Sequence, residues 1–226
     1  MTIRTAVFGP LDIEYDEHVL EPRLWTLAQS LWAAELLRSD EDTAPLLELC
    51  TGAGQIGLAA AALSYRAAVL VDSSEHACRF AARNAAAAGL SDRVDVRHGP
   101  MEEVMRPDES FALVLADPPY IPSAHTGTFP QDPLTAIDGG DDGLELARTC
   151  LRVGAGHLSP GGPMLLQLRD GAQADEIAAE LRGKERTPLE VVEIRDVPGG
   201  GAVLHLVRTD GAPGTDAGRR GRTSWR

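Results

Sequence analysis

Long hydrophobic runs are missing: no stretch approaches the roughly 18 consecutive apolar residues of a membrane span, and no basic segment followed by an apolar core opens the chain. A soluble, cytoplasmic protein with no membrane partner is expected. Cysteine is scarce. The three present, Cys50, Cys78 and Cys150, are widely spaced and form no CxxC, which excludes a disulfide framework and fits a reducing compartment. Positive charge is short as well, with 21 Lys and Arg against 34 Asp and Glu and a formal net charge of −13 at pH 7. Such a molecule repels phosphate backbones, so nucleic acid is the less favoured partner. The six histidines show no metal-ligand spacing, and no metal is expected.

What is there is alternation. Residues 2–20 read as a small ribbon turned at Gly9 and Pro10, and a helix follows Pro22 from Leu24 to Arg38. From Leu46 onward strands and Ala-rich helices alternate, which predicts parallel strands with crossover helices. Strands are expected at 46–50, 67–71, 94–97, 111–116, 163–168, 191–195 and 202–207, about seven in all. The last two are joined through Pro198 to Gly201, a tight connection that suits an antiparallel pair. The resulting fold class is α/β and Rossmann-like: a mostly parallel sheet with one antiparallel edge strand and helices on both faces. Three regions follow: 1–44 as an extension packed on the core, 45–209 as a ligand-binding catalytic domain, and 210–226 as a disordered tail rich in Gly, Pro, Asp and Arg.

Two motifs carry chemistry. Gly52, Gly54 and Gly57 lie between the first sheet strand and its helix, where glycine lets the backbone turn and approach a ligand. Asp72 ends the next strand about 20 residues on, where a carboxylate can accept both hydroxyls of an adenosine ribose. Glu48, just before the loop, favours a ligand with a cationic end over a pyrophosphate. The second motif is Asp117-Pro118-Pro119-Tyr120, closing the apolar run Phe111 to Ala116. An acidic oxygen, a rigid diproline and an aromatic ring at a strand's C-terminal edge make a pocket for a flat, nitrogen-bearing substrate.

With these residues the chain resembles the class I S-adenosylmethionine-dependent methyltransferases over about Val19 to Val207. Within them it most resembles HemK-type protein glutamine N5-methyltransferases. The Asp117 to Tyr120 string is similar to the [DNS]-P-P-[YFW] signature of enzymes that methylate planar or amide nitrogen. Pro22-Arg23, Ile121-Pro122, the stretch Gly139 to Leu144 and Gln173 support the likeness.

The resemblance implies S-adenosyl-L-methionine as cofactor, bound by Glu48, Thr51, Gly52, Gly54, Gly57, Asp72 and Ser73. It further implies Asp117, the Pro118 carbonyl and Tyr120 as catalytic groups that hold the acceptor nitrogen. Pro119, Tyr120, Trp25 and His125 are the candidate substrate contacts. A small molecule or a protein side chain is the expected methyl acceptor, and the sequence leaves the oligomeric state open.

Two departures stand out. Asp117 occupies a position where glutamine-modifying members carry Asn, and an ionised carboxylate can only accept hydrogen bonds. The family's helical N-terminal substrate domain is expected to be absent, because so little chain precedes Leu46. The alternatives are a methyltransferase for a nucleic-acid base (adenine N6 or guanine N2), a non-catalytic cofactor-binding subunit, and an NAD-dependent oxidoreductase. The last shares the glycine loop but leaves the diproline motif unexplained and lacks a Tyr-x-x-x-Lys arrangement.

Overall fold

The structure, a computed structural model, describes residues 2–39, 41–183, 187–209 and 222–225. The chain opens with the expected ribbon, β1 (Arg4–Phe8) and β2 (Leu11–Tyr15), paired antiparallel from Arg4 opposite Tyr15 to Phe8 opposite Leu11. Gly9 supplies the positive φ that such a two-residue turn needs. A 3₁₀ turn at Leu24–Thr26 leads into α1 (Leu27–Arg38).

Alternation then proceeds through β3 (Leu46–Leu49), α2 (Gln55–Ser64), β4 (Ala68–Asp72), α3 (Glu75–Ala87), β5 (Val94–His98) and the short α4 (Met101–Val104). It continues through β6 (Leu113–Ala116), the short α5 (Leu134–Ile137), α6 (Glu145–His157), β7 (Pro163–Leu168) and α7 (Gly171–Arg182). The chain ends with β8 (Leu189–Asp196), β9 (Ala202–Arg208) and β10 (Arg222–Ser224).

The main sheet has eight strands in the order β10-β8-β9-β7-β6-β3-β4-β5. All neighbours pair parallel except at β9, which runs antiparallel to both β7 and β8. The reversed strand is therefore interior, which corrects the expectation of an antiparallel edge. Burial decides which member of the hairpin goes inside: Ala202 to Leu206 are all buried, whereas β8 is mostly half-exposed.

The expectation of a disordered 210–226 tail is likewise corrected for 222–225. Arg222 binds Asp196 and Asp175, and Trp225 meets Trp32 edge-to-face at 5.5 Å. Residues 210–221, with Arg219 and Arg220, lie outside the described residues.

One face of the sheet packs Trp32, Ile56, Leu58 and Phe80 into its core, and the other packs Phe111, Leu151, Ile177 and Leu181. From β3 the chain moves outward to β4 and β5 and then returns to β3's other side as β6. That reversal opens a crevice between the C-terminal ends of β3 and β6, where α/β sheets bind ligands. No helix among the described residues is long and apolar enough to cross a membrane.

Candidate active site

The loop after β3 is shaped by backbone conformations that side chains resist. Gly52 and Gly54 take φ of 55° and 85°, and Cys50 is also left-handed at 61°. Gly57, in the first turn of α2, is needed for space. A Cβ there would overlap the Glu48 carboxyl and come within 2.6 Å of Leu70.

Glu48 itself is 1% exposed, and both the Thr51 hydroxyl and the Gly57 N–H donate to it. Burial pushes its carboxyl up to about 8. It sits behind the loop as an uncharged tie between β3 and α2, and does not line the cavity in front.

Asp72 ends β4 and accepts from the Gly52 N–H and the Ser74 N–H, each at 2.8 Å. Burial raises its carboxyl from its ordinary value, against the lowering effect of those two N–H donors. These two bonds aim a carboxylate from the second strand across the glycine loop, as its spacing predicts.

At the end of β6 stands Asp117, whose carboxyl is driven up to about 7 by desolvation. The backbone around it is pinned from several elements. Gln29 of α1 donates to the Ala116 carbonyl at 3.1 Å and the Leu165 carbonyl at 2.8 Å. Gln173 of α7 donates to the Tyr120 carbonyl at 3.0 Å; the Ile121 N–H donates to the Ile137 carbonyl at the end of α5, and the Gly139 N–H donates to the Ile121 carbonyl. Arg23 clasps Asp132 of that loop at 2.8 and 2.9 Å. Gln173→Ala is expected to lower turnover about tenfold and leave cofactor affinity unchanged, because it loosens Tyr120 without touching the glycine loop. Separate kcat and calorimetric measurements check this.

The crevice holds a cavity of about 250 Å³. Of the residues singled out from sequence, Gly52, Asp72, Ser73, Asp117 and Pro119 line it. Thr51, Gly54 and Gly57 shape the loop behind it, and Pro118 is buried beside Asp117. Tyr120 is half-buried next to Pro119 and does not line the cavity. Trp25 lies away from the cavity and packs its ring on Gly200. His125 is exposed on the 3₁₀ turn Ser123–Thr128 and also stands outside it. Sequence reasoning missed His18 and Gln55, which line the cavity, and Gln29 beneath it. Gln29 carried a signal, an amide on the buried face of a helix, but nothing local marked the other two.

Residues 46–129 match a family described as a methyltransferase domain. That stretch is similar to a methyltransferase domain over less than half of the chain. The chain is 34% identical over 178 residues to the ribosomal protein uL3 glutamine methyltransferase of Bordetella pertussis, covering 72% of this chain and 58% of that protein. It is 37% identical over 173 residues to the release factor glutamine methyltransferase of Gloeobacter violaceus, covering 74% and 60%. It thus spans less than two thirds of either relative.

Among solved structures, the hMettl16 catalytic domain with the MAT2A 3′UTR hairpin 1 superposes with a TM-score of 0.70 at 15% identity, covering 96% of this chain and 79% of that one. The ribosomal protein L11 methylase of Lactobacillus delbrueckii gives 0.61 at 17% identity, covering 84% and 82%. Both likenesses are of fold.

S-adenosylmethionine is the cofactor implied by this domain and fold, and the cavity residues fit it. Asp72 offers a carboxylate at a strand tip, and Gly52 has nothing within 4 Å of where a Cβ would be. Gln55 Oε1 is a buried acceptor with no hydrogen-bond partner among the described residues.

Proposed function

We propose that this chain is an N-methyltransferase that uses S-adenosylmethionine to methylate a planar side-chain amide nitrogen of a protein. The observation that carries the reading is Asp117, a desolvated carboxyl at the end of β6 that shares one cavity with Asp72 and Gly52. The relatives in Bordetella pertussis and Gloeobacter violaceus are named glutamine methyltransferases, which supports the same acceptor here. Residues 45–209 are the catalytic domain in this reading, and 1–44 pack on it as an extension.

When bound, S-adenosylmethionine supplies an electrophilic methyl group on a sulfonium. The chain's own residues then have distinct tasks. Asp72 takes the ribose hydroxyls, Gly52 lets the backbone approach, and Ser73 borders the adenosine. Glu48, Thr51, Gly54 and Gly57 keep the loop in shape.

An amide nitrogen is a poor nucleophile because its lone pair is drawn into the carbonyl, so orientation is the main help a protein can give. The Pro118 carbonyl accepts from the acceptor NH₂, while Pro119 packs against its plane and Tyr120, beside it, backs Pro119 from outside the cavity. Asp117 meets an amide best with its proton on: a neutral carboxyl has one O–H donor and one carbonyl acceptor, the complement that an Asn amide would present. A carboxyl held near 7 keeps that proton below this value and is divided about equally between the two forms at pH 7, and so Asp in place of Asn leaves glutamine as a compatible acceptor for the protonated form.

The cofactor half of this reading is tested by calorimetry. Wild-type protein should bind S-adenosylhomocysteine and not NAD, and Asp72→Ala should weaken that binding by about 30-fold, the loss of a charge-assisted pair of hydrogen bonds. Binding of NAD alone would sink the methyltransferase reading.

A further inference from the structure

The cavity wall carries more acidic than basic side chains. Three carboxyl side chains line it, Asp72, Glu102 and Asp117, and a single basic one, His18. Glu102 is engaged by Arg152 at 2.9 Å. S-adenosylmethionine carries an amino-acid end with an ammonium and a carboxylate, and a carboxylate among acidic side chains needs a donor. We infer that His18 donates to the cofactor's carboxylate and that Gln55 Oε1 accepts from its ammonium, so that one residue from the N-terminal extension closes the cofactor site. This assignment rests on the cofactor reading above.

His18 is held ready for that task. It follows the ribbon directly, in a turn in which its N–H donates to Asp16 Oδ1 at 2.9 Å. Its ring meets His76 edge-on at 5.3 Å. His76 is fixed in turn: its Nδ1 accepts from Arg79 at 2.8 Å, which leaves Nε2–H to donate to the Asp16 carboxylate at 2.9 Å. The Asp16 side chain is fully buried. Ribbon, turn and α3 thereby place an exposed imidazole at the cavity with its backbone locked. Gln55 stands at the start of α2, one turn beyond the open Gly52, with its oxygen buried and unpaired among the described residues. A buried acceptor in that state is costly unless a ligand donor completes it.

Three adenosine compounds separate the two contacts. S-adenosylhomocysteine has both groups, decarboxylated S-adenosylmethionine keeps only the amine, and 5′-methylthioadenosine has neither. By calorimetry, His18→Ala is expected to weaken S-adenosylhomocysteine about tenfold, the loss of one charge-assisted hydrogen bond, and to leave the other two compounds unchanged. His18→Gln, which keeps a donor, should recover part of the loss. Gln55→Ala should weaken both amine-bearing compounds and spare 5′-methylthioadenosine.

If His18→Ala weakens all three equally, or none, the assignment is overturned while the cofactor reading stands. If wild-type protein binds none of them, the cofactor reading falls and takes the assignment with it.

Discussion

Asp117→Ala is expected to lower kcat by between about 10²- and 10³-fold, the range seen when a preorganised hydrogen-bonding group is removed from a reacting centre. Its affinity for S-adenosylhomocysteine should stay within about threefold of wild type, because Asp117 meets the acceptor and not the ribose. Asp117→Asn should keep most of the activity, since the amide offers the same donor and acceptor as a neutral carboxyl.

The pH dependence gives the sign. Burial lifts the carboxyl from its ordinary 3.8 to about 7, so it is protonated below that value and ionised above it. With the neutral form active, wild-type kcat/KM falls as pH rises through about 7, and Asp117→Asn loses that limb. A rising limb would instead assign the activity to the carboxylate, which can satisfy only donors, and would favour an amine or a nucleobase amino group. Initial rates across pH 5.5–9 for the two proteins, an interval of about 1.5 to 2 units either side of the inflection, make the comparison.

Gly57→Ala is expected to destabilise the fold by about 3 kcal/mol, at the upper end of overpacking costs. Neither neighbour of the new methyl can step aside easily. Glu48 is tied to Thr51 and the Gly57 N–H, and Leu70 is fully buried in β4. Urea titration should show a lower midpoint with an unchanged slope.

Glu48 adds its own pH dependence to stability. The unfolded chain gives up this proton near 4.5, whereas the folded protein keeps it to about 8. The stability contributed by the neutral group is complete below about 4.5 and is lost as pH rises towards about 8. Glu48→Gln cannot ionise and should flatten that decline. A wild-type profile that is already flat over this interval would show that Glu48 is not the buried, protonated group described.

Much of this was legible in the sequence because the signals were local. A strand that runs into glycines, a carboxylate about 20 residues on, and a diproline after an apolar run each depend on a few adjacent residues. The hairpin through Pro198 to Gly201 announced a reversed strand, but its place in the sheet depended on burial. Ala202 to Leu206 form an apolar stretch interrupted only by His205, while Glu190, Arg195 and Asp196 mark β8 as the less buried partner.

β10 was not legible, because Arg-Thr-Ser has no strand pattern and is held by ion pairs of Arg222 to distant acids. Glu48 was legible as an acid at the end of the strand before the loop, but its enclosure behind Gly57, which pushes the carboxyl up to about 8, was not. His18 reaches the cavity through a ribbon, a turn and a helix far apart in the chain, contacts that no spacing rule encodes.

The most direct test of the proposed reaction is to incubate the protein with methyl-labelled S-adenosylmethionine and a cell extract, then locate the label by tandem mass spectrometry. The label should be found on a side-chain amide nitrogen of a protein, and should be lost with Asp117→Ala. Label confined to nucleobases or small amines, or transfer that persists in Asp117→Ala, would contradict it.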